Sequence, residues 1–268
     1  MWIAGVVLLI LSGGLVAFYF VKRKEIDKIL STETAKVDFL ESLASSMTEG
    51  VGSGALNYFT EVKGKVVCKE PLISELAQSE CVYYYMRVNR NYEETYYETD
   101  SQGHRQRKTR SGSETMSQNE RSVPFYVNDG TGSIKVKPDG AKIISEKVLS
   151  RFEPASSQSG NFLRIGSFSF EISGFMGGGG DRRTTGYTFE ENAIVIGKDI
   201  YVLGEATDRE GELCIQRPQD DNNKFIVSTK SEEVLVKEGK TTLTIMMVGA
   251  IISALAGVGL IIAGIFKS

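Results

Sequence analysis

The chain has 268 residues, 41% of them hydrophobic, a formal net charge of -3 and a mean hydropathy of -0.14. A charge so close to neutral gives no reason to expect a bulk polyanion or polycation as partner. Three cysteines cannot all pair, and a single histidine leaves little material for imidazole-based catalysis or multi-histidine metal sites.

Residues 2–21 carry no charge and are long enough to cross a hydrocarbon core as a helix, which takes about 20 residues. The segment has no basic residue at its start, and it ends in aromatics followed by Lys22-Arg23-Lys24. That pattern predicts a retained anchor rather than a cleaved signal peptide. Residues 243–266 form a second uncharged segment. Between them lie all 34 acidic residues and every one of the 31 basic residues except Lys267, so the expectation is a soluble domain tied to the lipid bilayer at both ends. Basic residues near the spans (Lys22, Arg23, Lys24 and Lys28 at one end, Lys237 and Lys240 at the other) sit on the domain side. The positive-inside rule therefore predicts a two-pass integral membrane protein with a cytoplasmic domain. In the second span Gly249, Ser253 and Gly257 recur four apart, a pattern that lets helix backbones approach closely. The first span, with Gly13 and Ala17 also four apart, is the expected neighbour, and a homo-oligomer is the alternative.

After the basic stop, residues 25–48 show apolar positions at steps of three and four, from Ile26 and Ile29 to Leu43 and Met47. This predicts an amphipathic helical neck, as one helix or two short ones, docked on the domain C-terminal to it. From residue 55 the texture turns to β. Strands are predicted at 58–67, 81–89, 123–128, 133–137, 162–172, 187–196, 199–205, 212–216 and 224–228, with a short turn or helix from Pro71. Asp129-Gly130-Thr131-Gly132 makes a tight hairpin turn. Short strands parted by turn signals predict a mainly-β fold, an OB-like barrel or a sandwich, over residues 55–240. Two stretches read as irregular projections or hairpin tips: 92–122, which is strongly polar with a basic run from His104 to Arg110, and 173–185, which contains Gly177–Gly180.

The segments "GKVVCKEPLISELAQSECVYYYMRV", "VPFYVNDGTGSIKVKPDGAKI", "GYTFEENAIVIGKDIYVLGEATDREGELCIQRP" and "KFIVSTKSEEVLVKEGK", running into a glycine-rich span, have a familiar order. Over residues 55–266 the chain resembles the GIDE family, also called BAM (beside a membrane). This is the domain between the two spans of the mitochondrial membrane-anchored ubiquitin and SUMO ligase. The pieces that carry the resemblance are Pro71 with the strand Cys81-Val82-Tyr83-Tyr84, the turn from Asp129 to Gly132, and Tyr201–Glu205 with Gly204 at its centre. We take them as structural positions. The resemblance implies work in membrane remodelling, stress or conflict systems. It also places the domain in the intermembrane space, against the orientation expected from the flanking charge. In the mitochondrial ligase a RING beyond the second span recruits the conjugating enzyme. A RING needs eight Cys and His ligands, whereas this sequence has four such residues without ligand-like spacing. A ligase activity would therefore follow from the domain resemblance only, and no catalytic, cofactor-binding or metal-binding residue is assigned.

Individual candidates point the same way. Six tyrosines (Tyr83, Tyr84, Tyr85, Tyr92, Tyr96, Tyr97) precede the basic run and could stack single-stranded bases on an OB-like face. Glu93, Glu94, Glu98 and Asp100 interrupt that field, so a hairpin with a mixed-charge tip is the preferred reading. His104 sits in the most polar stretch with nothing to orient it. Cys68, Cys81 and Cys214 lie within apolar strand patterns and read as packed thiols, although Cys68 and Cys81 could bridge adjacent strands. The glycine run lacks the Lys-Ser/Thr and following helix of a phosphate loop. The function expected is non-catalytic partner recognition or assembly at a membrane surface. The alternatives are a component of a ubiquitin-like conjugation system whose RING is on another chain, and single-strand nucleic-acid binding.

Overall fold

A computed structural model describes residues 2–50, 52, 54–157, 162–165, 168–171 and 182–265. It is mainly β, with a helix at each end. Helix α1 (Trp2–Ser31) and helix α3 (Glu232–Ile265) are each long and apolar enough to cross a membrane. They pack against one another, and glycines set the closest approach. A Cβ on Gly5 would lie 2.7 Å from the Gly257 carbonyl oxygen, and one on Gly257 would lie 2.9 Å from the Gly5 carbonyl oxygen. The buried Ser12 hydroxyl donates across the pair to the Ala250 carbonyl at 2.9 Å. Gly249 meets Leu15, whereas Ser253 donates back to Gly249 and Ala250 of its own helix. Gly13 faces open space, so Gly5 rather than Gly13 meets the small residues of α3.

Nothing in Lys22-Arg23-Lys24 breaks a helix, and α1 runs through the basic stop to Ser31. Residues 32–36 are then laid along β1 (Asn57–Val67), with Ala35 N–H donating to the Glu61 carbonyl at 2.9 Å. Helix α2 (Val37–Gly50) comes next. The neck is thus the last turns of the first apolar helix, an extended crossing and a separate helix.

Of the two β architectures expected, the barrel is the one found. Strands β1, β5 (Phe125–Asn128), β6 (Ser133–Val136), β13 (Cys214–Gln216) and β12 (Asp199–Thr207) are hydrogen-bonded in that order, and β12 pairs back to β1 to close a five-stranded barrel. All its neighbours are antiparallel except β6 and β13, which are parallel. Two short strands, β14 (Ile226–Ser228) and β7 (Lys142–Ile144), extend the wall beyond β12. The interior is filled by Val62, Val66, Phe125, Val127, Ile134, Val136, Val202 and Ile215, with Val37 and Leu40 of α2 in the same cluster. Strand β12 is buried along nearly its whole length because its two faces have different tasks. Ile200, Val202 and Ala206 point into the barrel, and Tyr201 and Leu203 point out against the helices. A strand covered on both faces reads as a continuous apolar run, which is what residues 200–203 are.

A second sheet grows from the barrel's connections. It is built on β3 (Glu80–Thr99), flanked on one side by β11 (Arg182–Val195) and then β8 (Glu146–Pro154). On the other side of β3 lie β2 (Leu72–Ile73) and β4 (Arg105–Ser122). Residues 92–122 thus make the hairpin that is the preferred reading of their sequence, and its strands run further than the pattern indicates. The polar composition hides them, because both faces of the distal hairpin meet water and neither shows an apolar period. Cross-strand pairs such as Thr95 with Thr109 and Glu98 with Lys108 supply the stabilisation instead. Within the predicted 162–172 strand, β9 (Phe162–Ile165) pairs antiparallel with β10 (Phe168–Glu171), so two short strands stand where one is expected. The glycine run at 177–180 lies outside the described residues. All three cysteines are free thiols.

Candidate functional site

The outward face of the barrel wall is where the helices arrive. Ile26 and Ile29 of α1 and Val236 of α3 form one buried cluster with Tyr201, Leu203 and Ile226. Gly239 permits the close packing, since a Cβ there would lie 2.7 Å from the Ile26 side chain. A polar node ties β1 to the 32–36 crossing and to α3. Glu61 on β1 is 1% exposed. It accepts a short hydrogen bond from the Thr34 hydroxyl and lies 2.9 Å from the Lys63 ammonium. Lys63 also reaches Glu232, in the first turn of α3, at 2.7 Å. Burial pulls the Lys63 pKa down, but its hydrogen bonds to Glu232 and Glu61 outweigh this and hold it above the ordinary lysine value. Burial, with the Glu61 carboxylate beside it, pushes the Tyr201 hydroxyl far above the usual phenol range. Sequence reasoning missed this node. On an alternating strand Phe59, Glu61 and Lys63 read as the solvent face, and nothing local says that two helices will cover it.

The turn from Asp129 to Gly132 is a clamp on the neck. Asp129 accepts from the Val37 N–H at 3.0 Å, and the Thr131 hydroxyl accepts from the Asp38 N–H at 3.3 Å. Orphan donors at the start of α2 are thus capped from a β-hairpin about ninety residues away rather than from the chain before the helix. A Cβ on Gly132 would lie 2.8 Å from Val37, so this position must be small for the helix to seat. Burial raises the Asp129 pKa, but donors from Thr131, Val37 and Gly132 outweigh it and hold the carboxyl below its ordinary value. Replacing Asp129 with alanine is expected to cost about 0.5–2 kcal/mol, the usual range for losing a helix cap. Because the folded pKa is depressed, the carboxylate's contribution is complete above its unfolded value and is lost as the pH falls through the folded one. The difference in unfolding temperature between wild type and Asp129→Asn should therefore shrink between about pH 5 and pH 2, read by thermal denaturation in detergent.

The distal part of β3 and β4 forms an arm. At about 3.3 Å per residue, the 20-residue β3 far outruns the 9-residue β12 of the barrel. None of the residues in the helix-facing cluster comes from β3, β4, β8 or β11. Near the barrel the tyrosines are core. Tyr83 is buried and donates to Glu120 at 2.8 Å, and Tyr84 is buried and donates to Glu75 at 2.9 Å. Burial, with the Glu75 carboxylate next, lifts the Tyr84 pKa to about 12. Towards the tip Tyr96 and Tyr97 are exposed, each beneath an arginine: Arg110 over Tyr96 at 5.5 Å and Arg105 over Tyr97 at 5.0 Å.

The remaining sequence candidates are dispersed. Pro71 leads into β2, which pairs with β3 at Cys81. Burial, with Glu191 beside it, lifts the Cys81 pKa to about 11, so this thiol is packed and un-ionised. Gly204 lets Ile215 and Phe225 fill the barrel, since a Cβ there would lie 2.7 Å and 2.9 Å from them. His104 lies in the tip turn, largely exposed, with Asp100 3.5 Å away. Among the described residues no three His, Cys, Asp or Glu side chains gather as a metal-holding group.

A closed barrel with an outgrown second sheet, joined to two helices of membrane-crossing length, defines the class: a mainly-β domain on a pair of candidate transmembrane helices. A family model described as GIDE, E3 ubiquitin ligase, matches residues 93–262, more than half of the chain, and the chain belongs to that family. Comparisons with curated proteins and with solved structures gave no match.

Proposed function

We propose that this chain is a non-catalytic recognition or assembly module, held at a bilayer surface by α1 and α3 and offering its arm to protein partners. The observation that supports this most is the division of surfaces. The side of the barrel wall around β12 and β14 is covered by the two helices, while the exposed arginines and tyrosines sit on an arm outside that cluster. We place the domain on the cytoplasmic side, following the basic flanks. Protease access to residues 92–122 in spheroplasts with an intact inner face would overturn that placement.

The function is tested by crosslinking in cells, detergent extraction of the full chain and mass spectrometry. A variant in which residues 95–109 are replaced by an Asn-Gly turn serves as the comparison. Loss of specific partners from the shortened form is expected. An unchanged partner set would sink the reading. The family's ligase description supports a second reading, a conjugation component whose RING is on another chain. A conjugating enzyme or ubiquitin-like protein in the eluate would favour it. Single-strand nucleic acid is the weaker case, because residues 92–122 hold five Lys and Arg against six Asp and Glu.

A further inference from the structure

The register of the arm sorts its charges by face. Thr95 lies opposite Thr109, Tyr97 opposite Arg107 and Thr99 opposite Arg105, while Glu94, Tyr96 and Glu98 stand opposite Arg110, Lys108 and Gln106 or one step diagonal. Successive residues of a strand point to opposite faces. One face is neutralised from within. Lys108 pairs with Glu98, and Glu94 takes Arg110 at 2.6 Å and Arg182 at 3.0 Å. The other face carries Arg105 and Arg107, which form no ion pair among the described residues, and Arg183, whose nearest carboxylate oxygen, on Glu93, is 3.9 Å away. Here Thr95, Tyr97, Arg107 and Arg183, with Arg182 and a single carboxylate, Glu93, line a recess of about 520 Å³.

The outer edge of β4 is the second observation. This 18-residue strand pairs with β3 on one side and with nothing on the other among the described residues. An unpaired edge presents a row of main-chain donors and acceptors that another strand can complete. We propose that the distal edge of β4 receives an extended acidic segment of a partner protein, added as a further β-strand with alternate carboxylates set against Arg105 and Arg107. This rests on the recognition reading above and names the partner's chemistry. A second copy of the same edge fits badly, because residues 105–110 hold four cations and no carboxylate, and like charges directly opposite are destabilising. A nucleic acid could meet the guanidinium groups but not the main-chain ladder.

The test uses the full chain in nanodiscs of zwitterionic lipid. The probes are a labelled twelve-residue peptide of alternating threonine and glutamate, its lysine counterpart, a backbone N-methylated glutamate version and a labelled oligo-dT. The glutamate peptide alone is expected to bind, and Arg105→Glu with Arg107→Glu should weaken it at least tenfold. Lys108→Gln, on the neutralised face, should leave binding within about twofold. Equal losses in both variants would reduce the effect to general electrostatics and overturn the proposal. So would retained binding of the N-methylated peptide, preference for oligo-dT, or no binding at all. If the peptide fails but the intact arm still captures partners that the shortened arm loses, the recognition reading survives and this one falls.

Discussion

Lys63→Met is expected to lower the unfolding midpoint of the detergent-solubilised chain by on the order of 10 °C. Lys63 is the cation that both Glu61 and Glu232 require, and Glu61 cannot turn to water because only 1% of its side chain is exposed. Removing one partner of a buried pair leaves an uncompensated charge, which costs about 3–5 kcal/mol. The lower end applies here, since Lys63 is itself 39% exposed and its pairing is partly screened. For a chain of this size each kcal/mol moves the midpoint by about 2–4 °C. The sharper expectation concerns the double variant. Glu61→Leu with Lys63→Met removes both charges and should recover most of the loss, because an apolar pair of similar volume in place of a buried ion pair is often neutral. The existing site makes recovery easier. One Glu61 carboxylate oxygen and the Tyr201 hydroxyl are buried there without a hydrogen-bond partner among the described residues. If the double variant is as unstable as the single one, the node is not a charge pair in the energetic sense assigned to it. Protease cleavage between α1 and β1 should rise in the single variant, because Thr34 and Glu232 lose the group that joins them through β1.

Gly64→Val is expected to prevent barrel closure. Gly64 is the position at which β1 passes from its partner β12 to its partner β5, and the next residue, Lys65, pairs with Asp199 on one side and Asn128 on the other. A Cβ at Gly64 would lie 2.3 Å from the Asn128 carbonyl oxygen and 2.7 Å from its carbon. Both are backbone atoms of the facing strand, so no rotamer change relieves the clash. The barrel must open by moving β5, and β5 carries Phe125 and Val127 of the core. Overpacking of a well-filled interior costs about 1–3 kcal/mol, and more where the backbone must shift. Valine here belongs to the costly end. The measurement is recovery of monodisperse protein after extraction, with limited proteolysis of the recovered fraction. Gly13→Ala is the control, since a Cβ there meets nothing within 4 Å. Comparable behaviour of the two variants would show that β1 does not approach the β5 backbone at Gly64 as described.

The contrast between these two sites marks how far the chain can be read before it folds. Gly64 lies inside a run of alternating residues and gives no warning, because the atom it avoids belongs to a strand far along the chain. Tyr201–Glu205 stands out as a motif, yet its reason is spatial: one side fills the barrel and the other meets the helices. The turn from Asp129 to Gly132 reads as a hairpin, which it is. That it also caps α2 depends on a helix and a hairpin meeting from distant parts of the chain. The arm reads as a mixed-charge hairpin, but the length of its strands is not legible because they have no buried face to imprint an apolar period, and its charge pairing exists only in register.

Local sequence alone determined the two helices of membrane-crossing length, the β character between them and the hairpin turn from Asp129 to Gly132. These depend on runs of transfer free energy and on local backbone preference, both written into neighbouring residues. Only the tertiary structure decided that the first apolar helix continues past its basic stop, that Gly5 and not Gly13 meets Gly257, and that Glu61 and Lys63 are enclosed rather than solvated. It likewise decided which arginines of the arm remain unpaired. Each of these is a contact between segments far apart in the chain, set by packing and register that no local pattern encodes.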